Sequence, residues 1–470
     1  MVAKITDKLK KQLVQQVFDE LTGEKLGDSD NYFYVAIGRS QEWDDEQNPD
    51  VPFPHDREEK LFRYNMQSIK AVQAFSYVVP LEETKDWSSG SVYAAYSDAS
   101  TGQSANYYVR TEDNNVYVCI RQGKEGNGAA RSSVDKPDHT DTTLIAELND
   151  GYIWKYLYTI STADGNSFLT SNFMPVKYVD SADATDPYFG QYTIQNAAVP
   201  GQIVGYRVIT AGSGYSTSDT VTITGNGSGA TGHVIPDGSG GIAAVEIGDS
   251  ARAGTTGFGD LSLYMGSGYS QADVSISGGS GGKVVPVFGP RAGLGADPRD
   301  DLRSTALMFN VKLQEADEEA NGGKFQTGND YRQVGIWKNP LQYGSSSQFT
   351  GTSATTVSKL KLVSTPATPI TYEDTTTATG STSTATAYID YAADSDIWIH
   401  QTEDTGFKDF QVADTLSLDP VQTGVGTLTI DTIEDPEVDI FSGDVLYISN
   451  ISATIRNTAG SEDLKVIVKL

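Results

Sequence analysis

Apolar residues recur every four positions near the start of the chain. Leu9, Leu13, Val17 and Leu21 fall on one stripe of a helix that has 3.6 residues per turn. Polar residues occupy most of the positions between them, so the pattern predicts an amphipathic helix that ends before Gly23.

A second helix is predicted to begin at Asp56, shortly after two prolines. Asp56 and Glu59 have the spacing of a capping box, in which each side chain accepts a hydrogen bond from a backbone N–H at the start of the helix. Apolar residues that follow at helical spacing form the predicted buried face, which comprises Phe62, Met66, Ile69 and Val72.

Short runs rich in Val, Ile and Tyr predict strands, because β-branched and aromatic side chains pack well on a pleated surface. The predicted strands of the first part of the chain are 32–37, 92–96, 107–110, 116–120 and 152–160. The last of them carries an aromatic side chain at every second residue: Tyr152, Trp154, Tyr156 and Tyr158. Side chains alternate between the two faces of a strand, so these four are predicted on one face. Such a face is typical of a protein core or an interface.

Residues 201–287 have a different composition, dominated by Gly, Ser, Thr, Val and Ile. The sequence GSGYS at 212–216 returns at 266–270, and each copy is followed by a short alternating strand and a Gly/Ser turn. The repeat predicts a small inserted β module built from paired hairpin units. A second shift, to short strands among Ser/Thr-rich turns, predicts another inserted all-β module at 342–440.

The remaining ranges, 1–200, 288–341 and 441–470, are predicted to form the parent core. We therefore expect a mainly β fold with flanking helices, of the α+β class, in which a two-layer β core domain carries two inserted all-β modules. The 47 glycines and the frequent Thr, Ser and Tyr favour strands and turns over helices. The longest apolar runs are too short to cross a bilayer, so we expect a soluble protein without membrane association.

Charge and cysteine content narrow the classes of function. A formal net charge of −28 repels phosphate backbones, so nucleic-acid binding is not expected. The single cysteine, Cys119, excludes an internal disulfide and is predicted to be a buried, inert thiol. This use of cysteine fits assembly in a reducing cytoplasm.

Catalytic motifs occur in letters but not in the required context. Gly227, Gly229 and Gly232 match a dinucleotide fingerprint, yet a strand and turn follow where a helix would have to begin. Gly278-x-Ser280-x-Gly282 matches a nucleophile elbow without a following helix. We predict neither an enzyme nor a cofactor or metal site.

The histidines are isolated in sequence, and no two have the spacing of a zinc-binding helix. We predict each of them to be a surface or capping residue. They are His55, His139, His233 and His400.

Four segments resemble the baseplate wedge subunit that gene eight of T-even phages encodes, and they occur in that family's order. They are AIGRSQEW at 36–43, DGYIWKYLY at 150–158, YRQVGIWKNPL at 331–341 and SGDVLYISN at 442–450. The resemblance covers 1–200, 288–341 and 441–470. The two predicted modules have no counterpart in the T-even protein.

The resemblance implies a structural virion protein of the tail baseplate, assembled in the host cytoplasm and needed for tail assembly. It implies a homodimer that joins the wedge proteins of the gene six, seven and ten families, and no catalysis. Residues of the matched segments are predicted to serve the core or an interface. They are Arg39, Trp43, Tyr152, Trp154, Tyr156, Tyr158 and Trp337. For Arg39, turn anchoring and pairing with an acidic neighbour both remain open.

Two other classes of function remain open. The first is a carbohydrate-binding or adhesin-like tail protein, because exposed aromatics in β insertions can stack on sugars. The side chains considered for stacking are Tyr215, Tyr264, Tyr269 and Trp398. The second is a hydrolase of host surface polysaccharide, which ranks third because the catalytic patterns fail their context.

Overall fold

The structure is a computed structural model of the 470-residue chain. It describes residues 5–22, 31–81, 85–99, 106–125, 128–141, 148–248, 261–314, 330–372, 375–455 and 461–469. Strands hold 41% of the chain and helices 12%, so the prediction of a mainly β fold of the α+β class is confirmed.

The helices are short and few among the described residues. They are α1 Asp7–Thr22, α2 Asp56–Asn65, α3 Thr162–Phe168, α4 Phe189–Asn196 and α5 Pro298–Asp301. A 3-10 helix spans Leu261–Tyr264. The amphipathic stripe at the start of the chain therefore forms the predicted first helix.

The strands of the first half of the chain are β1 Phe33–Gly38, β2 Met66–Ala71, β3 Ala74–Pro80, β4 Tyr108–Arg110, β5 Asn115–Arg121, β6 Ile153–Thr159, β7 Phe173–Val176, β8 Ile203–Thr210, β9 Val221–Gly225, β10 Ser228–Ala230, β11 Gly232–Pro236 and β12 Ile242–Ile247. Those of the second half are β13 Met265–Ser267, β14 Ala272–Ile276, β15 Lys283–Phe288, β16 Ala306–Gln314, β17 Asp330–Lys338, β18 Leu341–Gln342, β19 Ser353–Thr355, β20 Ser358–Leu362, β21 Thr377–Gly380, β22 Thr386–Ala393, β23 Asp396–His400, β24 Thr415–Asp419, β25 Leu428–Glu434, β26 Val438–Asp439, β27 Asp444–Ile455 and β28 Ser461–Lys469.

The chain forms two compact units. The first contains the described residues of Met1–Val14, Ser76–Met308 and Lys469–Leu470, and the second contains those of Gln15–Phe75 and Phe309–Val468. Residues of the predicted core lie in both units, and each unit holds one of the two predicted modules.

The first unit contains a three-stranded antiparallel sheet in the order β4-β5-β6. Every residue of β6 but the last is buried, so both of its faces pack against other parts of the chain. The glycine-rich module adds the antiparallel pairs β8–β15, β9–β14, β10–β13 and β11–β12.

The two repeats of this module interlock instead of folding as separate hairpin units, which corrects the prediction. Strand β9 of the first repeat pairs with β14 of the second, so that Val221 lies opposite Ile276. The ring of Tyr215 in the first GSGY motif packs against Gly279 of the second repeat. Conversely, the ring of Tyr269 packs against Gly227 of the first repeat. The glycines are therefore required where a tyrosine from the other repeat approaches the backbone.

The second unit contains a five-stranded sheet in the order β19-β2-β1-β17-β27. All six residues of β1 are buried, which explains its continuous apolar run. Gly335 of β17 is needed because a Cβ atom at this position would meet the ring of Phe62 from α2. The edge strand β19 lies inside the predicted module at 342–440, so Ser353–Thr355 of that range belong to this sheet.

The rest of that module is a closed antiparallel barrel in the order β20-β23-β22-β21-β24-β25. Along β24 buried and exposed residues alternate strictly, as expected when one face lines the barrel interior and the other faces outward. Closure leaves no strand edge free for pairing. The interior is filled by aliphatic side chains, among them Leu360, Ile389, Ile397, Leu416, Leu428 and Ile430.

The second helix begins at Asp56 as predicted, but its predicted cap and its predicted continuation to Val72 are wrong. The cap of α2 is His55, whose Nδ1 accepts a hydrogen bond from the backbone N–H of Glu58 at 3.2 Å, and not Asp56. The helix ends at Asn65, because its carbonyl accepts from the backbone N–H of Arg39 at 2.8 Å and the chain continues as β2.

The predicted strand at 92–96 is also wrong. Isolated backbone hydrogen bonds fix this segment, one from Ala94 to the carbonyl of Asn106 and one from Tyr96 to the carbonyl of Cys119. These bonds do not form a ladder, so the segment is an extended connection whose tyrosines, Tyr93 and Tyr96, are nevertheless buried.

Candidate functional site

The predicted aromatic strand lies at the centre of a buried cluster in the first unit. Trp154 is fully buried, and its ring lies 5.3 Å from that of Tyr93 in an edge arrangement and 5.8 Å from that of Tyr152 in a stacked one. Tyr117 and Tyr156 extend the cluster, with ring centroids 5.6 Å apart. Such pairs are favoured electrostatically beyond their burial. We call these five side chains the aromatic cluster.

Tyr158 does not share the face of the other three predicted aromatics. Tyr156 pairs with Tyr117 and Tyr158 pairs with Val116, so the residue between them on β6 forms a bulge. Neighbouring residues of β5 point to opposite faces, and the bulge therefore turns Tyr158 to the other side of the sheet. There its hydroxyl donates to the carbonyl of Pro175 at 2.7 Å. The prediction of four aromatics on one face is wrong for this residue.

The hydroxyls of the aromatic cluster bond to backbone groups, except that of Tyr156, which bonds to the Thr159 hydroxyl at 2.6 Å. The Tyr152 hydroxyl donates to the carbonyl of Arg131 at 2.7 Å and accepts from the N–H of Tyr93 at 3.1 Å. Burial raises the pKa of Tyr152 to about 12 and also raises the pKa of Tyr156. Both phenols are therefore neutral and serve as fixed hydrogen-bonding groups.

Cys119 lies on β5 opposite Trp154 and is fully buried, as predicted. Burial raises the pKa of its thiol well above the ordinary value. A protonated thiol without access to solvent is a poor nucleophile.

Three of the four segments that carry the family resemblance form neighbouring strands in the second unit. Strand β17 lies between β1 and β27, so the segments at 36–43, 331–341 and 442–450 share one sheet. Buried Arg332 of β17 connects this strand to the turn that follows β1. Its guanidinium donates to the carbonyl of Ser40 and pairs with Glu46 at 2.6 Å.

Arg39 anchors a turn at the end of β1. Its φ of 64° is in the left-handed region, and its side chain donates to the carbonyls of Gln41 and Glu42 at 3.2 and 3.3 Å. The guanidinium carbon lies 3.8 Å from the ring centre of Trp43. The Trp43 indole in turn donates to the carbonyl of Ile451 at 2.9 Å. Of the two roles left open for Arg39, the side chain takes the first.

Trp337 holds the other end of the same sheet. It is fully buried, and its indole donates to the carbonyl of Ser442 at 2.9 Å. Arg63 of α2 donates to the carbonyls of Ile440, Ser442 and Gly443 at 2.6–2.8 Å. An arginine and an indole thus fix the turn that precedes β27, a role for Arg63 that no sequence pattern indicated.

The seven predicted residues therefore lie in two separate places. Tyr152, Trp154, Tyr156 and Tyr158 belong to the first unit, whereas Arg39, Trp43 and Trp337 belong to the second. Within each place the side chains fill a core or clamp a turn.

The histidine prediction is right for His55 and wrong for His233 and His400, whereas His139 is half-buried. His55 caps α2, as described above. His233 and His400 are buried and each lies beside a buried carboxylate, Glu246 at 3.6 Å and Asp390 at 2.8 Å. Nothing in the sequence distinguishes Glu246 and Asp390 from the other acidic residues. These two pairs could therefore be found only from the strand register.

The His400–Asp390 pair sits on the barrel wall. Asp390 also accepts a hydrogen bond from Gln67 of β2 at 3.0 Å, and Tyr388 stacks on the imidazole with ring centres 5.4 Å apart. The amide nitrogen of Gln41 lies 3.4 Å from the outer ring nitrogen of His400. This network links the barrel to β2 and the Arg39 turn within the second unit.

No group of three or more His, Cys, Asp and Glu side chains with metal-binding geometry occurs among the described residues. Within the same ranges no helix is long and apolar enough to span a membrane. A scan of the sequence against protein-family models gives no match, and a search of curated proteins gives none either.

Proposed function

We propose that this chain is a structural, non-enzymatic protein of a virus particle. More specifically, we propose that it is a subunit of the tail baseplate wedge of a contractile-tailed phage, required for tail assembly. It would assemble in the host cytoplasm and reside in the virion.

The observation that carries the proposal is the shared sheet of the second unit. Three segments far apart in sequence, chosen for their likeness to one family, lie on the adjacent strands β1, β17 and β27. Arg332 and Trp337 bind the ends of these strands through backbone carbonyls. A likeness that falls on mutually contacting residues supports a common core better than scattered matches would.

The use of polar side chains also supports a structural role. The buried arginines Arg63 and Arg332 donate to backbone carbonyls and acidic side chains inside the fold. Buried Asp150 accepts hydrogen bonds from the backbone N–H groups of Val134, Asp135 and Tyr152. These groups fix turns, which gives a rigid building block.

The carbohydrate-binding alternative has one favourable observation. On the barrel, half-buried Trp398 lies 5.1 Å from Tyr391, and Tyr391 lies 5.8 Å from Tyr372. The planes of these rings meet at 52° and 72°, so a sugar would stack on one ring face and not on a continuous platform. However, Tyr215 and Tyr269, which were also considered for stacking, are buried against glycines and are not available.

Co-assembly separates the two proposals. The full chain should be a dimer of about 101 kDa by light scattering, twice its mass of 50.5 kDa, and should form a stable complex when co-expressed with wedge proteins of the gene six, seven and ten families from the same phage. Trp398→Ala should leave both results unchanged. A monomer that binds host polysaccharide and joins no wedge complex would support the alternative instead.

A further inference from the structure

A cavity of about 410 Å³ opens in the first unit where the end of β5 meets β8 and β12. This volume is within the range of small-molecule sites, which are usually clefts of about 300–1,000 Å³ with mostly apolar walls and a few polar groups. Most of the lining side chains are apolar. They include Ile120, Val204, Val208, Val245, Ile247 and Leu261.

Three cations line the cavity: Arg121, Lys124 and Arg207. Arg207 is exposed, and Arg121 is neutralised within the fold. Arg121 forms an ion pair with Glu246, whose side chain is only 4% exposed and which also lies 3.6 Å from the imidazole of His233. Burying an arginine and a carboxylate together is tolerated because each compensates the charge of the other.

Lys124 has no such partner. It lines the same cavity and is half-buried, yet it forms no ion pair with any residue in the described part of the chain. Burial lowers the pKa of its ammonium group, and nearby Arg121 lowers it further, while Glu246 acts in the opposite direction. A half-buried ammonium group that forms no direct ion pair is stabilised by an anion that reaches it.

We propose that this cavity binds a small amphipathic monoanion, with its acidic group at Lys124 and its apolar body against the aliphatic walls. The class comprises small aromatic or aliphatic carboxylates and sulfonates. A monoanion fits better than a dianion, because Glu246 compensates Arg121 and Arg207 is exposed to solvent, which leaves Lys124 as the one half-buried cation of the lining without an ion pair. This inference is independent of a role in the baseplate.

Anilinonaphthalene sulfonate is a suitable probe, since it joins one sulfonate to an aromatic body, and phenylnaphthylamine is its neutral counterpart. We expect the native full-length chain to bind the sulfonate with a stoichiometry of one by calorimetry. Lys124→Gln should weaken the sulfonate about tenfold or more, as expected for loss of a charged hydrogen bond, and change the affinity for the neutral compound less than twofold.

Two further variants keep the test specific. Val208→Phe replaces an aliphatic side chain of the cavity wall by a larger aromatic one and should reduce the binding of both compounds. Thermal unfolding checks that this variant is folded. Lys283→Gln removes an exposed lysine of the same unit and should change neither affinity. Absence of stoichiometric sulfonate binding, or equal binding by the native chain and Lys124→Gln, would overturn the proposal.

Discussion

Replacement of Trp154 by alanine removes the largest side chain of the aromatic cluster. The indole is fully buried and contacts the rings of Tyr93 and Tyr152. Truncation of a buried Phe or Trp to Ala costs about 3–5 kcal/mol, because burial is lost and a cavity remains. The two aromatic contacts favour the upper part of that range.

Urea unfolding measures this cost. With a slope of about 2–3 kcal/mol per molar urea, the loss corresponds to a fall in the midpoint of about 1–2.5 M. Trp87 remains in the first unit as a fluorescent reporter. The change should appear in the transition that Trp87 reports, since the cluster lies entirely within that unit.

Two control variants test whether the loss of stability comes from the aromatic cluster. Trp154→Phe keeps a ring in the cluster and should cost less than the alanine variant. Trp398→Ala removes a half-buried indole from the barrel surface and should leave the transition reported by Trp87 unchanged. An unaltered midpoint in Trp154→Ala would refute the assignment of this strand to the core.

Three further predictions concern the barrel, a buried acid and the interlocked repeats. When a short Gly/Ser linker replaces residues 358–434, the five-stranded sheet should still fold cooperatively. Lys359 pairs with Glu434, so the two ends of the removed segment are adjacent and a short linker can join them. Asp301→Asn should become increasingly stable relative to the native chain as the pH rises above about 4, measured by urea unfolding across a pH series. Gly279→Ala should lower the free energy of unfolding of the first unit by about 1–3 kcal/mol, as measured by thermal unfolding. The φ of Gly279 is +62°, and the added Cβ would meet the ring of Tyr215.

The sign of the Asp301 effect follows from its burial. The side chain is fully buried, and burial raises the pKa of its carboxyl well above the ordinary value of 3.8. The folded state therefore binds the proton more tightly than the unfolded state, and stability falls as the pH rises from about 3.8 toward the folded-state pKa. The loss is about 1.4 kcal/mol per pH unit in that window. A pH-independent difference between the two chains would contradict this account.

The other two predictions have matched comparisons. Gly238→Ala adds a methyl group where nothing lies within 4 Å, so it should be neutral beside Gly279→Ala. Equal effects of the two substitutions would show that the Tyr215 contact does not matter. For the barrel, aggregation of the shortened chain would mean that the sheet needs residues 358–434 to fold.

Residue periodicity predicted the elements that have an apolar stripe or a continuous apolar run, although Leu9 and Leu13 of the α1 stripe are exposed. It succeeded for α1, β1, β5 and β6, whose bounds agree with the predicted ranges to within two or three residues. It failed at 66–71, because Met66 and Ile69 are spaced three apart and suit a helix as well as a strand that is buried on both sides.

Residue periodicity could not predict features that depend on strand register or on residues far apart in sequence. The bulge that turns Tyr158 away from Tyr156 has no local signal. Arg63 reaches carbonyls near residue 442, and His400 meets Asp390 across the barrel wall only because β22 and β23 pair. Pairing of the two GSGY repeats likewise required the fold, since the sequence shows a repeat but not its partner.

Location of the chain in the intact particle tests the central claim most directly. In a cryo-electron microscopy map of the complete tail, we expect two copies of the chain in each baseplate wedge, with density that fits the five-stranded sheet and the barrel. A map in which the chain occupies only distal fibres, or is absent from the tail, would contradict a wedge subunit.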